Sequence, residues 1–232
     1  MRIDRLLANA GLGTRKEVHF LIKDGRVFVD SKQIKAYGEH VNPDLSIVEV
    51  DGEVINYQPF HYVLLNKPAG YISSTVHEAG NPPVTDLLLE YEAFDLAPVG
   101  RLDLDTRGVL LLTNNGKLAH RLLSPKHDVK KTYEAKVNKP LTHDLIKKFN
   151  DGININDEYI TKPAQLEFID IDVALVTISE GKYHQVKRMF KACGYEVIEL
   201  VRTRFAFLTV DDLAVGSSRE LTPEETKKLL EY

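Results

Sequence analysis

The sequence predicts an α+β fold of two domains, and three features of the 232-residue chain support this prediction. Apolar residues recur at helical spacing twice within the first 25 residues, and alternating strand patterns follow them. Pro59 then lacks a backbone donor and favours an extended Gln58, which is typical of a linker. Beyond it, short apolar runs alternate with amphipathic patterns. We therefore expect domains at residues 1–57 and 61–232, joined by a linker at 58–60.

The predicted first domain has two helices followed by a small sheet. Its first helix carries apolar residues at helical spacing and ends at the glycines that follow: Ile3, Leu6, Leu7, Ala10, then Gly11 and Gly13. Thr14 and Glu17 have the spacing of a capping box, so a second helix begins there and ends near Gly25. The stretch RVFVD then alternates like a strand, and SIVEVDGEVI predicts a hairpin with an Asp-Gly turn.

The predicted second domain alternates between strands and helices. The predicted strands are HYVLLNKP, GVLLLTN, KKTYEAKV, ALVTIS and FAFLTV. The predicted helices are KLAHRLL, THDLIKKFNDG, YHQVKRMFKACG and TPEETKKLLEY. Thr222 and Pro223 suit the cap and the first turn of the last helix. We expect Cys193 to lie on the apolar side of its helix rather than to act as a nucleophile.

The composition indicates the cellular compartment of the protein and argues against some classes of site. A single cysteine cannot form an internal disulfide, and the start of the chain lacks the pattern of a secretory leader, so we expect a reducing cytoplasm. Apolar runs are strand-sized, which argues against a membrane span. The spacing of His120, His127 and His143 fits no metal site, and these histidines are interpreted as structural.

Basic residues are concentrated in three segments although the formal net charge is −4. Residues 1–35 and 100–136 each hold eight Lys/Arg against four Asp/Glu, and residues 181–204 hold six against two. Such islands suit a polyanion bound along one face of an acidic chain. Solvated helix faces would give the same pattern, so each island alone leaves both interpretations open.

The stretch TRKEVHFLIKDGRVFVD, with its preceding helix, resembles the small RNA-binding module of ribosomal protein S4. This resemblance covers roughly residues 1–50 and implies contact with structured RNA through the second helix and its surroundings. The residues it marks as RNA contacts are Arg5, Arg15, Lys16 and Arg26. Cations on one helical face can neutralise several phosphates at once, which agrees with that role.

The stretch VGRLDLDTRGVLLLTNNG places two carboxylates in the lead-in to an apolar strand. Glycines on both sides could hold Asp103 at a fixed position beside the strand, near Arg101 and Arg107. An Asp that merely caps a turn would also fit. The spacing to Lys117 does not match a phosphate-binding loop, and two carboxylates without further ligands make a weak metal site.

Four segments in order resemble the RsuA-type family of pseudouridine synthases: LLNKPAGYISS, GRLDLDTRGVLLLTNNGKLAHRLLSP, KKTYEAKV and EGKYHQVKRMF. With the module before them, the resemblance spans nearly the whole chain. It implies a catalytic domain with a mixed, mainly antiparallel sheet flanked by helices. It also implies isomerisation of a uridine in ribosomal RNA to pseudouridine, without a cofactor or a metal.

The family resemblance also implies roles for individual residues. Asp103 would be the catalytic nucleophile, and whether it attacks the sugar or removes the 2′ proton stays open. Lys187 would pair with Asp103, and Tyr133 would stack on the base and assist proton transfer at C5. Arg101 would fill the space left by the flipped uridine. Arg107 departs from the family pattern, which would equally accept a small or neutral residue there, and its charge suits only a phosphate contact.

Several alternatives remain at this point. Tyr183 and His184 favour small-subunit (16S) ribosomal RNA as the target, with large-subunit (23S) RNA as the alternative. A non-catalytic RNA-binding assembly factor is a rival of another class. A carboxylate-pair glycoside hydrolase fits poorly, because Asp105 offers no credible second acid. We expect a monomer whose partner is ribosomal RNA or a ribosome-assembly intermediate.

Overall fold

A computed structural model describes residues 1–43, 45–55, 57–156 and 159–232. Asp44 and Asn56 of the predicted first domain, and Asp157 and Glu158 of the predicted second, lie outside the described residues. The chain divides into two units. The first contains Met1–His61 with Leu88–Ala97 and Thr113–Asn115, and the second contains Tyr62–Leu87, Pro98–Leu112 and Gly116–Tyr232.

The first unit packs two helices against a four-stranded antiparallel sheet. Its elements are α1 (Ile3–Asn9), α2 (Arg15–Lys23), β1 (Val27–Val29), β2 (Lys32–Gln33), β3 (Val48–Val50) and β4 (Glu53–Val54). The sheet order is β2-β1-β3-β4. Apolar residues from both helices and from β1 and β3 form one core.

Local signals in the sequence explain how these elements begin and end. Thr14 and Glu17 make the reciprocal hydrogen bonds of a capping box at the start of α2, as predicted. Asp51 and Gly52 both have left-handed backbones, with φ of 56° and 82°, which is the geometry of the predicted tight hairpin between β3 and β4. The predicted helices and hairpin of this unit are therefore confirmed.

The second unit is built on an eight-stranded sheet. Its elements in chain order are β5 (Tyr62–Lys67), β6 (Ala97–Pro98), β7 (Arg107–Thr113), α3 (Gly116–Leu123), β8 (Lys131–Val137), α4 (Asp144–Asp151), β9 (Asn154–Asn156), β10 (Tyr159–Ile160), β11 (Gln165–Phe168), β12 (Val173–Ile178), α5 (Gln185–Ala192), β13 (Val197–Phe205), β14 (Ser218–Glu220) and α6 (Pro223–Leu230). Short 3₁₀ helices lie at Val84–Leu87 and Pro125–His127 in this unit, and another lies at Leu89–Phe94 in the first unit. β9 and β10 form a separate two-stranded sheet.

The strand order of the large sheet is β11-β12-β8-β13-β7-β5-β14, with β6 also paired to β7. Successive pairs from β11 to β13 are antiparallel, as is β5 with β14, whereas β13 runs parallel to β7. The α+β class and the mixed, mainly antiparallel sheet are therefore confirmed. The parallel pair places the start of β7, next to Asp103, beside the middle of β13.

One strand prediction is wrong. FAFLTV was expected to form a strand, but the strand ends at Phe205, and Ala206 turns with a left-handed φ of 55°. The strand lies instead in the more polar stretch Val197–Phe205. Its apolar alternation is broken by charged residues and by register shifts in its pairing with β8, so the period-two signal is weak there.

Candidate active site

Asp103 lies in the loop that leads into β7, and backbone contacts from the segment after β5 fix this loop. Ser73 Oγ donates to the Leu102 carbonyl at 3.0 Å and accepts from the Leu102 N–H at 2.9 Å. The N–H of Gly70 donates to the Leu104 carbonyl at 2.8 Å. The chain before and after Asp103 is thus held at two points, so the position of the carboxylate does not depend on a free loop.

Lys67 is a buried cation beneath the same loop. Its side chain is fully buried and Nζ donates to the carbonyls of Pro68 at 3.0 Å, Asp103 at 3.2 Å and Thr106 at 2.8 Å. Burial lowers the pKa of Lys67 to about 8, although the charges of Asp105 and Asp103 oppose this shift. Sequence reasoning missed this residue. A lysine at the end of the largely apolar strand YVLLNK was the available signal.

The side chain of Asp103 faces two basic side chains from the start of α5. Lys187 Nζ lies 3.4 Å from Asp103 Oδ2, and His184 Nε2 lies 3.4 Å from Oδ1. Asp103 and Lys187 are each about three-quarters buried, at 25% and 23% side-chain exposure. The structure therefore brings together the carboxylate and the lysine that the family resemblance pairs, and adds a histidine.

Lys187 also contacts a second carboxylate. Its Nζ donates to Asp105 Oδ1 at 2.6 Å, which is shorter than its distance to Asp103. Burial acts to raise the pKa of Asp105, but the hydrogen bond and charge of Lys187 outweigh it and leave that pKa below its ordinary value. One cation is thus shared between two carboxylates two residues apart, an arrangement that the sequence analysis did not anticipate.

A buried glutamate fixes the start of α5. Glu180 accepts hydrogen bonds from the Tyr159 hydroxyl, from the Lys162 backbone N–H and from Gln185 Nε2. Gln185 in turn accepts from the Lys182 N–H at 2.9 Å. Between these anchors His184 adopts a left-handed backbone, with φ 48° and ψ 36°, which orients its ring toward Asp103.

A cavity of about 710 Å³ opens beside Asp103, which is in the size range of ligand pockets. Its lining includes Arg101, Asp103, Lys131, Tyr133, His184 and Arg202. Tyr133 on β8 is almost completely buried, at 8% exposure, and presents its ring to this space. Arg101 is 71% exposed and stands 3.9 Å from Glu78, so it lies at the rim.

Arg107 does not line this cavity among the residues that the structure describes. Its guanidinium donates to Glu199 at 2.9 Å across β7 and β13, in a shallow depression that it shares with Asp105 and Lys187. The arginine expected to contact phosphate is therefore already paired with a carboxylate. It remains 41% exposed on its side chain, so a phosphate could approach it only in competition with Glu199.

The four cations predicted to contact RNA in the first unit are all exposed, but they differ in their surroundings. Arg5 lies on α1, while Arg15 and Lys16 form the first turn of α2. Arg15 is 3.5 Å from Asp95. Arg26 forms a two-pronged ion pair with Asp51, and this pair lowers the pKa of the carboxyl. Arg26 is therefore less available to phosphate than the other three.

The remaining candidate chemical groups do not form a further site in the described part of the chain. Within residues 1–43, 45–55, 57–156 and 159–232, no three His, Cys, Asp or Glu side chains cluster so as to hold a metal ion. None of the helices described is long and apolar enough to span a membrane. Cys193 is half-buried at the end of α5, and burial raises the pKa of its thiol, which suits a packing role.

Comparison with known proteins agrees with this geometry. Residues 61–192 match the family described as RNA pseudouridylate synthase, and residues 1–47 match the S4 domain. A solved structure titled "Crystal structure of pseudouridylate synthase" has 33% identity and a TM-score of 0.70, and the match covers 99% of each chain. The chain belongs to the RNA pseudouridylate synthase family, and is thus an isomerase that acts on RNA.

Three curated relatives match along nearly their full length. The "Uncharacterized RNA pseudouridine synthase YtzG" of Bacillus subtilis (strain 168) is 47% identical, over 100% of this chain and 99% of that protein. The "Ribosomal small subunit pseudouridine synthase A" of Vibrio cholerae is 43% identical over 99% of each. The "Ribosomal large subunit pseudouridine synthase B" of Bacillus subtilis is 39% identical, over 98% and 95%. The resemblance to the RsuA-type subfamily is thus confirmed. The relatives include proteins named for the small and for the large ribosomal subunit.

Proposed function

We propose that this chain converts one uridine of small-subunit ribosomal RNA to pseudouridine, using Asp103 as the catalytic residue and no cofactor. The observation that carries the proposal is the contact of Asp103 with Lys187 at the edge of the cavity that Tyr133 lines. A carboxylate held in this way can attack the sugar or remove its 2′ proton. Either route breaks the N-glycosidic bond and lets the base turn before it is rejoined through C5.

The cavity supports the other roles that we propose. A uridine must leave its RNA stack before its glycosidic bond can be reached, and the flipped base would lie against the buried ring of Tyr133. Arg101 is exposed at the rim, where it can occupy the space that the base leaves. Lys187 balances the negative charge of the carboxylates at the sugar side of this cavity.

We assign RNA binding to the first unit and propose the domain boundaries 1–57 and 61–232, with a linker at 58–60. Exposed cations on the two helices, Arg5, Arg15 and Lys16, would contact phosphates, with Arg26 contributing less because of Asp51. Arg107 would act as a further phosphate contact in competition with Glu199. We also propose that the protein acts as a monomer in the cytoplasm.

We base the proposed target subunit on a local feature rather than on overall similarity. Relatives named for the small and the large subunit match at similar identity, 43% and 39%. The pair Tyr183 and His184, which favours the small-subunit branch, stands at the mouth of the cavity, where the two rings stack at 3.9 Å. We therefore propose the small subunit as the target.

The test is to map pseudouridine in both ribosomal RNAs from cells with and without the gene, and to repeat it with a gene that encodes Asp103→Asn. We expect one uridine of the small-subunit RNA to lose its modification in both mutant strains. Loss in the large-subunit RNA would reassign the target. An Asp103→Asn strain with normal modification would remove the catalytic proposal, whereas a growth or assembly defect without any lost pseudouridine would favour a non-catalytic assembly factor.

A further inference from the structure

Two buried cations form the floor of the cavity beside Asp103. Lys131 on β8 is 7% exposed and Arg202 on β13 is 2% exposed, and both line the cavity. Lys131 precedes Tyr133 by two residues, and Arg202 lies directly opposite Tyr133 in the register of β8 with β13. Residues in these positions share one face of a sheet. Lys131, Tyr133 and Arg202 therefore form a single surface.

The hydrogen-bonding capacity of these cations is only partly used. Lys131 Nζ donates to the Val129 carbonyl at 3.0 Å, and Arg202 Nε donates to the Val109 carbonyl at 2.7 Å. Arg202 Nη2 is buried and has no hydrogen-bond partner within the described residues. A buried donor without a partner is costly, so it marks a place where a ligand atom can bind.

Two like charges so close together are also costly without an anion. Burial, and to a smaller extent the charge of Arg202, lower the pKa of Lys131 to about 8, and Glu180 opposes this shift. Both cations lie near the ring of Phe205, at 5.9 and 5.2 Å from its centroid, which gives them no full counter-charge. A well-packed fold gains little from such a pair, so a role in binding or chemistry accounts for it better.

The deep burial of Lys131 and Arg202 limits which part of the RNA they can contact. The rim residues Arg101 and Tyr183 are 71% and 76% exposed, whereas Lys131 and Arg202 are almost fully buried. A phosphodiester continues into the RNA chain on both sides and stays at the rim. A flipped base is the part of the nucleotide that enters furthest. The floor therefore faces the polar edge of the base.

We propose that Lys131 and Arg202 bind the carbonyl oxygens of the flipped uracil and stabilise the uracil anion that forms when the glycosidic bond breaks. This inference rests on the proposed function. When the N1–C1′ bond breaks, both electrons of the bond stay on the base, and the negative charge spreads over the ring to O2 and O4. Asp103 either bonds to C1′ or takes the 2′ proton. C5 then bonds to C1′, and at the same step the bond between Asp103 and C1′ breaks or, on the other route, Asp103 returns the proton to C2′. The C5 proton then leaves with the assistance expected of Tyr133, and N1 gains a proton.

Donors aimed at charge that develops only during the reaction act mainly on kcat. Replacing Lys131 with Met should therefore lower the single-turnover rate by about 10²-fold while RNA affinity changes little. Lys130→Met is the matched control, because that neighbouring lysine is exposed. Lys131→Arg should recover much of the rate, since it retains a cation. Arg202→Lys, which loses the unpartnered Nη2, should show a smaller loss than Lys131→Met.

A substrate with a better leaving group gives the decisive readout. The full-length variants are assayed on ribosomal RNA transcripts that carry uridine or 5-fluorouridine, and breakage of the N1–C1′ bond is followed in a single turnover. Fluorine withdraws electrons from the detached base, so its anion needs less help from the protein. The loss caused by Lys131→Met should then be several-fold smaller with 5-fluorouridine than with uridine.

The outcomes separate this inference from the proposed function. Equal losses with both nucleosides, or a rate equal to that of Lys130→Met, would overturn the role of Lys131 while leaving the enzyme assignment intact. A wild-type protein that converts no uridine in either ribosomal RNA would overturn both. If circular dichroism shows that Lys131→Met does not fold, Lys131→Gln, which keeps a donor for the Val129 carbonyl, takes its place in the same comparison.

Discussion

Lys187 donates a hydrogen bond to Asp105 at 2.6 Å and stands 3.4 Å from Asp103, so a single lysine serves two carboxylates. Asp105 is 73% exposed while Asp103 is 25% exposed, and the interaction with Asp103 is therefore the better shielded from solvent. The shorter contact of Lys187 is thus with Asp105, where water competes more strongly for the hydrogen bond than it does at Asp103. This sharing defines two substitutions with different expected effects.

Lys187→Met should lower turnover by orders of magnitude. Without the shared cation, the negative charge of Asp103 loses its lysine partner at a position that is three-quarters buried, where an unpaired carboxylate is poorly stabilised. A lost phosphate contact would instead weaken RNA binding and spare kcat. Single-turnover kcat measured together with RNA affinity distinguishes the two. Near-normal kcat at neutral pH would contradict the ion-pair role.

Asp105→Asn is the matched control for that experiment. It removes the hydrogen bond of Lys187 to Asp105 but leaves the cation and Asp103 in place. We expect kcat to stay within a few-fold of wild type, because the exposed Asp105 partner contributes little beside the shielded contact with Asp103. A loss as large as that of Lys187→Met would instead assign an essential role to Asp105.

Asp103→Asn should abolish isomerisation and leave RNA binding nearly intact. The amide preserves the size of the side chain and the loop around it, which Ser73 and Lys67 hold through the backbone. Only the carboxylate chemistry is lost. Filter binding of ribosomal RNA alongside a pseudouridine assay checks both halves, and measurable turnover at a comparable rate would refute the catalytic assignment.

Lys67→Met should destabilise the fold, because the carbonyls of Pro68, Asp103 and Thr106 lose their shared donor. The pKa of Lys67 in the folded protein is about 8, below its ordinary 10.5, so the unfolded chain binds more protons between these values. Stability from this group therefore rises with pH across that window. The difference in unfolding free energy between wild type and Lys67→Met should widen from pH 8 to pH 10.

Denaturant unfolding at several pH values measures this difference. Lys117→Met, which replaces an exposed lysine in the same unit, should show no widening. If the difference in unfolding free energy between wild type and Lys67→Met stays constant or narrows as pH rises, the pKa of Lys67 is not lowered in the folded protein.

In the first unit, Lys16→Gln should weaken RNA binding more than Arg26→Gln. Lys16 is exposed on the first turn of α2, whereas the guanidinium of Arg26 is already paired with Asp51. Each lost phosphate contact should reduce the slope of log K against log salt by about 1. Affinity measured at several salt concentrations tests the order, and an equal or larger effect of Arg26→Gln would show that RNA displaces Asp51.

Much of the fold could be predicted because its signals are local. The capping box of Thr14 with Glu17 and the Asp51-Gly52 turn each involve only a few consecutive residues. Their sequence patterns therefore predict the local backbone geometry directly. The strand Val197–Phe205 could not be predicted in this way. Its Arg202 is buried because β7 and β8 lie on either side of this strand, and that placement depends on parts of the chain far away in sequence.

The candidate site shows the same division. Asp103, Tyr133 and Lys187 could be proposed from the sequence because contiguous motifs of the family contain them. The contact of Lys187 with Asp105 joins residues 82 positions apart, and the burial of Lys67 and Lys131 depends on strand order. Lysines in strand patterns are ordinarily expected at the solvent face, so their burial becomes visible only in the folded sheet.

Gly108→Ala should be strongly destabilising, because the backbones of β7 and β13 meet at this residue. A Cβ at Gly108 would stand 2.2 Å from the carbonyl oxygen of Arg202, and the glycine has a φ of 104° that other residues rarely adopt. Gly116→Ala is the matched control: its Cβ would meet no atom within 4 Å at the start of α3. That substitution should be neutral or stabilise by about 0.4–1 kcal/mol. Thermal unfolding of both variants measures these changes in stability. A Gly108→Ala protein as stable as wild type would be incompatible with the close approach of β7 and β13. That close approach places Arg202 in the floor of the cavity.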